Sequence, residues 1–182
     1  FVGMTNSGPF AGARVVGEIN CNCQQCRRCD DGLGNHCSYR TVVGIYQHDG
    51  VFAEQVAIPQ TSLHLVPDAI SDDQAVLVEP LAAALQIQQQ IDLAGVKNAV
   101  VLGDGRLANL CAQVISRHAE KLLVVGKHEL KLARFRRLGI ETTKLDQLVP
   151  EKSFDLVVDC TGSATGLPLA LQLIKPRGTV VM

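Results

Sequence analysis

The stretch that most narrows the possible folds is Asn98–Ala108, which reads Asn-Ala-Val-Val-Leu-Gly-Asp-Gly-Arg-Leu-Ala. An apolar β run, Ala99 to Leu102, passes through Gly103 and Gly105 into a segment whose Leu107, Leu110, Cys111, Val114, Ile115 and His118 recur at helical spacing. The pattern predicts a strand, a tight turn and a helix. Glycine in such a turn lets a phosphate come close to the backbone, and the free N–H groups at the start of the following helix face the anion. Ala108 stands where the G-x-G-x-x-G/A pattern admits alanine. Taken alone, the same residues also fit an ordinary βα turn, so the rest of the chain has to supply the context.

That context is a regular alternation after Gly95. Strands are expected at 99–102, 122–125, 141–143, 155–159 and 179–182, and helices at 106–118, 128–138 and within 164–174. Apolar strands separated by amphipathic helices predict an α/β fold, a doubly wound parallel sheet covered on both faces. The sequence stops on the fifth strand, so a truncated sheet is expected. The upstream part reads as a small β domain, with short β runs before Ile19, a turn at Ser7-Gly8-Pro9, and a return to β pattern over 41–58 that offers Phe52, Val56 and Ile58 to a core. Ser71 and Gln74 form a capping-box signature, and the helix they open must stop or bend before Pro80. Pro80 suits the first position of a second helix, which leaves the Glu79 carboxylate at a helix entrance. Two domains follow, 1–75 and 76–182.

Between them in character lies the polar loop 20–40, which has almost nothing apolar to hold it. Five of the seven cysteines fall within Cys21–Cys37. The spacing Cys23-x2-Cys26-x2-Cys29-x7-Cys37 supplies four thiolates, enough to close a tetrahedral structural Zn²⁺ site whose binding energy becomes folding energy. An iron–sulfur cluster is the rival, but the bacterial ferredoxin run continues with x3 and Cys-Pro, whereas Cys37 comes after seven residues and is followed by Ser38. Cys21 is surplus and reads as a free thiol. Arg27, Arg28 and His36 read as solvated loop residues. Thiols grouped this way favour metal over disulfides, and with them a reducing compartment, the cytoplasm by default. A net charge of −1 gives no footprint for nucleic acid or an anionic membrane, and no apolar run approaches the ~20 residues of a membrane-spanning helix.

The cysteine loop, then Val78-Glu79-Pro80-Leu81-Ala82, then Gly103-Asp104-Gly105-Arg106-Leu107-Ala108 together resemble the zinc-dependent medium-chain alcohol and polyol dehydrogenase family in content and order. The likeness extends to Asp49-Gly50-Val51-Phe52-Ala53-Glu54, to Asp159-Cys160-Thr161-Gly162-Ser163 and to Pro176-Arg177-Gly178-Thr179-Val180-Val181. It implies part of a GroES-like catalytic domain followed by part of a Rossmann domain. It implies that Cys23, Cys26, Cys29 and Cys37 hold a structural zinc. Glu79 is implied as a ligand of the catalytic zinc, or as the group that holds its water, and so as the catalytic residue of this stretch. Gly103, Gly105, Arg106, Leu107, Ala108, Gly126, Lys127, His128 and Thr161 are the expected cofactor-binding residues. Two departures stand out. The family's other catalytic ligands, an upstream cysteine and a Gly-His-Glu, are not in this sequence, and Ala13 replaces the usual acid before Arg14. The chain therefore reads as the middle portion of an enzyme, inactive by itself.

The cofactor implied is NAD or NADP. A sheet that reads NAD ends its second strand in Asp or Glu, which accepts from the ribose 2′-hydroxyl. Here Leu122-Leu123-Val124-Val125 runs into Gly126-Lys127-His128. With no carboxylate at that position and a cation beside it, the expectation is NADP. The competing reading of Lys127 is a solvated basic helix start. The function implied is hydride transfer between a small alcohol or polyol and NAD(P), by a homo-oligomer. Two other readings stay open: a zinc-ribbon-like binding module fused to a nucleotide-sensing domain, and a catalytically inactive cofactor-binding relative.

Overall fold

The structure, a computed structural model, describes residues 1–182. The chain divides into two compact units, Phe1–Glu79 and Pro80–Met182, against the expected boundary at 75/76.

In the first unit, β1 (Val2–Met4), β2 (Arg14–Gly17) and β5 (Leu63–Leu65) form an antiparallel sheet in the order β1-β2-β5. Val15 and Val16 of the middle strand are buried. β3 (Asn20–Cys21) and β4 (Thr41–Val42) pair as a two-stranded ribbon that closes the ends of the cysteine loop. Within the loop the chain forms a single α-helical turn, α1 (Arg27–Asp30), and a 3-10 turn over Gly34–His36. The β pattern expected over 41–58 is largely absent. After Val42 the chain folds into turns, with Gly44 N–H donating to the carbonyls of His48 and Asp49, while Phe52 and Val56 are exposed and Ile58 is half-buried. A strand needs a neighbour to take its backbone groups. The stretch pairs with none of the unit's sheet strands, and these apolar residues do not reach a core. α2 (Asp72–Ala75) opens on the expected capping box, Ser71 and Gln74 each bonding the other's backbone.

The second unit begins within α3 (Val78–Gln90), where Pro80 occupies the first turn and so costs no intrahelical hydrogen bond. Its sheet has the order β10-β9-β6-β7-β8, all parallel: β6 (Asn98–Leu102), β7 (Lys121–Gly126), β8 (Glu141–Lys144), β9 (Phe154–Asp159) and β10 (Ile174–Val181). α4 (Arg106–Ile115), α5 (Glu129–Arg137) and α6 (Gly166–Leu173) make the crossovers. Alternation along β6 feeds two cores. Ala99 and Val101 pack with Ala84, Ile87, Ala108, Ile115, Leu132 and Phe135 on one face. Val100 and Leu102 pack with Val125, Val157, Ala170 and Leu173 on the other. This is the doubly wound sheet expected. The strand order reverses beside β6, and ligands of such sheets bind at the carboxyl ends of the strands at that switch point.

Candidate functional site

The first site is the cysteine loop. Cys26 caps α1, and the N–H groups of Cys29 and Asp30 return to its carbonyl, so the local turn itself brings Cys26 and Cys29 together. The Sγ atoms of Cys23, Cys26, Cys29 and Cys37 all lie within 4.8 Å of one another. Individual separations are 3.6 Å for Cys26–Cys29, 3.8 Å for Cys26–Cys37 and 4.0 Å for Cys23–Cys29. Four sulfurs placed tetrahedrally at a Zn–S distance of about 2.3 Å stand roughly 3.8 Å apart, so the residues present fit a zinc ion. The four thiols differ in their surroundings. Cys26 is lowered to about 6, first by a backbone hydrogen bond from Cys29, while burial and the neighbouring sulfurs push Cys29 up to about 11. The Cys23 and Tyr39 N–H groups both donate to Cys37 Sγ, at 3.5 and 3.3 Å. Cys21 is buried in β3 outside this tetrad. Arg27, Arg28 and His36 are exposed and bind only locally, Arg28 donating to the His36 carbonyl at 2.8 Å.

Glu79 lies half-buried in the first turn of α3. In the same unit Arg14, whose expected acidic neighbour is replaced by Ala13, finds its partner in Asp72 at 2.9 Å and donates to the carbonyls of Pro67 and Ile70. The sequence spacing of 58 residues gave no sign of that pair. A cavity of about 560 Å³ lies between Phe1–Ser7 and Val51–Ile58, and it contains no cysteine or histidine.

The second site is a cavity of about 300 Å³ at the carboxyl ends of β6, β7 and β9. Gly103, Gly105, Gly126, Lys127, His128 and Thr161 line it, together with Asp104, Cys160 and Ser163. Gly103 has φ +119, and a Cβ there would come within 3.1 Å of the Cys160 carbonyl oxygen, so glycine is required by both backbone and space. At Gly105 a Cβ would meet nothing of the protein. The missing side chain therefore leaves room for a ligand in front of α4, as a pyrophosphate at a helix start requires. The residues present thus fit a dinucleotide. Thr161 is fixed by Asp159, which accepts from its N–H at 2.8 Å and its hydroxyl at 2.6 Å.

Three expected cofactor residues stand elsewhere. Arg106 and Leu107 begin α4 with exposed side chains and do not line the cavity. Ala108 is fully buried, so its place in the pattern reflects close packing of helix on strand rather than contact with a ligand. The residue that sequence reasoning missed is Asp104. Its carboxylate sits over Gly126, where a Cβ would come 2.7 Å from Asp104 Cβ and 2.8 Å from Oδ2. Oδ2 accepts from the N–H groups of Lys127 and His128, both at 2.7 Å, and lies 2.9 Å from His128 Nδ1. Lys131 Nζ is 3.6 Å from Oδ1. Burial works to raise the Asp104 carboxyl, but the His128 and Lys127 N–H bonds and the imidazole outweigh it and leave it below the usual carboxylate range.

A zinc-fitted cysteine tetrad in a small β unit, and a dinucleotide cradle on a doubly wound sheet, are the two features in which the chain resembles the zinc-dependent medium-chain dehydrogenases. Residues 2–68 match the alcohol dehydrogenase GroES-like domain. The chain is 30% identical to a sorbitol dehydrogenase of Halalkalibacterium halodurans, over 94% of this chain and 54% of that protein. It is 27% identical to an L-threonine 3-dehydrogenase of Coxiella burnetii, over 98% of this chain and 55% of that protein. Among solved structures, the alcohol dehydrogenase TADH from Thermus sp. ATN1 superposes with a TM-score of 0.88 at 25% identity, covering 99% of this chain and 59% of that one. The chain is thus similar to zinc-dependent medium-chain alcohol and polyol dehydrogenases, and it spans about half the length of the curated relatives it matches. No helix is long and apolar enough to cross a membrane.

Proposed function

We propose that the protein carrying this chain is an oxidoreductase that moves a hydride between a small alcohol or polyol and NAD(P). The observation that carries this reading is the dinucleotide cradle of the second unit, with its obligatory Gly103 and open Gly105, occurring in one chain with a tetrad spaced for zinc. In it, Gly103 and Gly105 admit the pyrophosphate to the start of α4, and Thr161, held by Asp159, borders the same cavity. Cys23, Cys26, Cys29 and Cys37 hold a closed zinc, which leaves no position for substrate and so serves structure. Glu79 is assigned to the catalytic zinc, as ligand or as holder of its water. When bound, that zinc makes an alcohol's proton easier to lose and the dinucleotide exchanges the hydride. A homo-oligomer and a reducing compartment go with the reading.

Metal quantitation on the full-length protein tests it. Two zinc ions per chain are expected in the wild type and one in each of Cys23→Ser and Glu79→Ala, with the Glu79→Ala protein retaining dinucleotide binding while losing alcohol oxidation. A Glu79→Ala variant that keeps both metals and full activity would remove Glu79 from the site.

A further inference from the structure

The expectation of NADP rests on β7 ending in Gly126, a residue with no carboxylate to repel a 2′-phosphate. Three-dimensional placement changes that premise. The Asp104 side chain, delivered from the glycine-rich turn, occupies the space that a side chain at position 126 would take. Its surroundings hold it there: two successive backbone N–H groups at the start of α5, an imidazole and a lysine all address one carboxylate whose side chain is 9% exposed.

The nearby groups that could face an anion are consequently committed. His128 and Lys131 are paired with Asp104, and the Lys127 and His128 N–H groups that could cradle an anion already donate to it. Lys127 alone makes no ion pair with its side chain. A phosphate carrying close to two negative charges would have to settle against a fixed carboxylate with one unpaired lysine in compensation. A ribose hydroxyl meets no such opposition. Oδ1 has the lighter load of the two oxygens, with His128 Nδ1 at 3.2 Å and Lys131 Nζ at 3.6 Å, and keeps lone-pair capacity for a hydroxyl donor.

We infer that Asp104 is the specificity-determining residue of the dinucleotide site: it supplies from the first turn the ribose-reading carboxylate that the end of β7 lacks, and sets the preference for NAD(H) over NADP(H). The inference rests on the dinucleotide reading above and deepens it.

Equilibrium titration of the full-length protein with NADH and with NADPH, followed by quenching or energy transfer to the nicotinamide, tests it without reference to turnover. The wild type is expected to bind NADH more tightly by about tenfold or more, and Asp104→Asn, nearly isosteric, to bring the two affinities to within a few-fold of each other. Asp104→Gly combined with Gly126→Asp removes the Cβ that would stand 2.7 Å from the new side chain, moves the carboxylate back to the strand end and is expected to restore the NADH preference, which guards against a variant that merely disturbs the turn. Tighter NADPH binding by the wild type, or an affinity ratio unmoved by Asp104→Asn in a protein with unchanged thermal unfolding, would overturn the assignment. Failure of both dinucleotides to bind would instead sink the cofactor-domain reading beneath it.

Discussion

Cys37 shows how a single residue can be committed to a metal before the metal arrives. It is buried, and its sulfur receives two backbone N–H groups, so the Cys23 bond above all, against the opposing effect of burial, draws the thiol below its ordinary value. Replacement by serine keeps the size but substitutes a poor zinc ligand, and Cys37→Ser is expected to release one zinc and destabilise the first unit by several kcal/mol, because metal affinity there is folding energy. Atomic emission and thermal unfolding would show both. Ala108 makes the opposite point. Its role is to be small under α4, so Ala108→Leu is expected to cost about 1–3 kcal/mol through overpacking and to weaken dinucleotide binding only by shifting the helix. Urea unfolding measures the first effect and cofactor titration the second. The tetrad was legible because ligand spacing is a local property. The roles of Asp104 and Ala108 were not, since a one-dimensional pattern cannot say which of its members face the ligand and which face the core.

Among elements, three adjacent strands are tied at one end by a side chain. Asp155 Oδ2, at the start of β9, accepts from the N–H groups of Lys97 and Asn98 at the start of β6, at 3.0 and 2.8 Å, and the same carboxylate pairs with Lys175 of β10. The Asn98 N–H and the Lys175 ammonium hold its carboxyl below the ordinary range. A carboxyl depressed in the folded state stabilises the fold above its unfolded value and loses that contribution as the pH falls through the folded one. Asp155→Ala is therefore expected to cost about 1–3 kcal/mol at neutral pH, with the gap to wild type closing below roughly pH 4. Denaturation midpoints measured across pH would check the sign. Elements with their own period, such as β6, α4 and β7, were readable from the chain. The stretch from Val43 to Ile58 was not, because an apolar run becomes a strand only where another strand takes its hydrogen bonds, and the folded chain pairs this stretch with none of β1, β2 and β5.

For the molecule as a whole, the two units draw their stability from different sources. The second carries two apolar cores on either side of one sheet, whereas the first closes its longest loop around cysteines. Zinc removal by a chelator is expected to expose the backbone amides of 20–42 to hydrogen exchange while β6, β7 and β9 stay protected. Uniform loss of protection across both units would show that the metal supports more than its own loop. What the sequence by itself determined was whatever depends on neighbours along the chain: the strand–turn–helix of 98–115, the alternation that makes a parallel sheet, and the four-cysteine ligand set. Tertiary structure alone decided the partners that meet from a distance, Arg14 with Asp72, Asp155 with the start of β6, and Asp104 over Gly126. A hydrogen bond or a charge pair acts over a few ångströms of space whatever the number of residues between its ends, and only the folded chain fixes which groups share those ångströms.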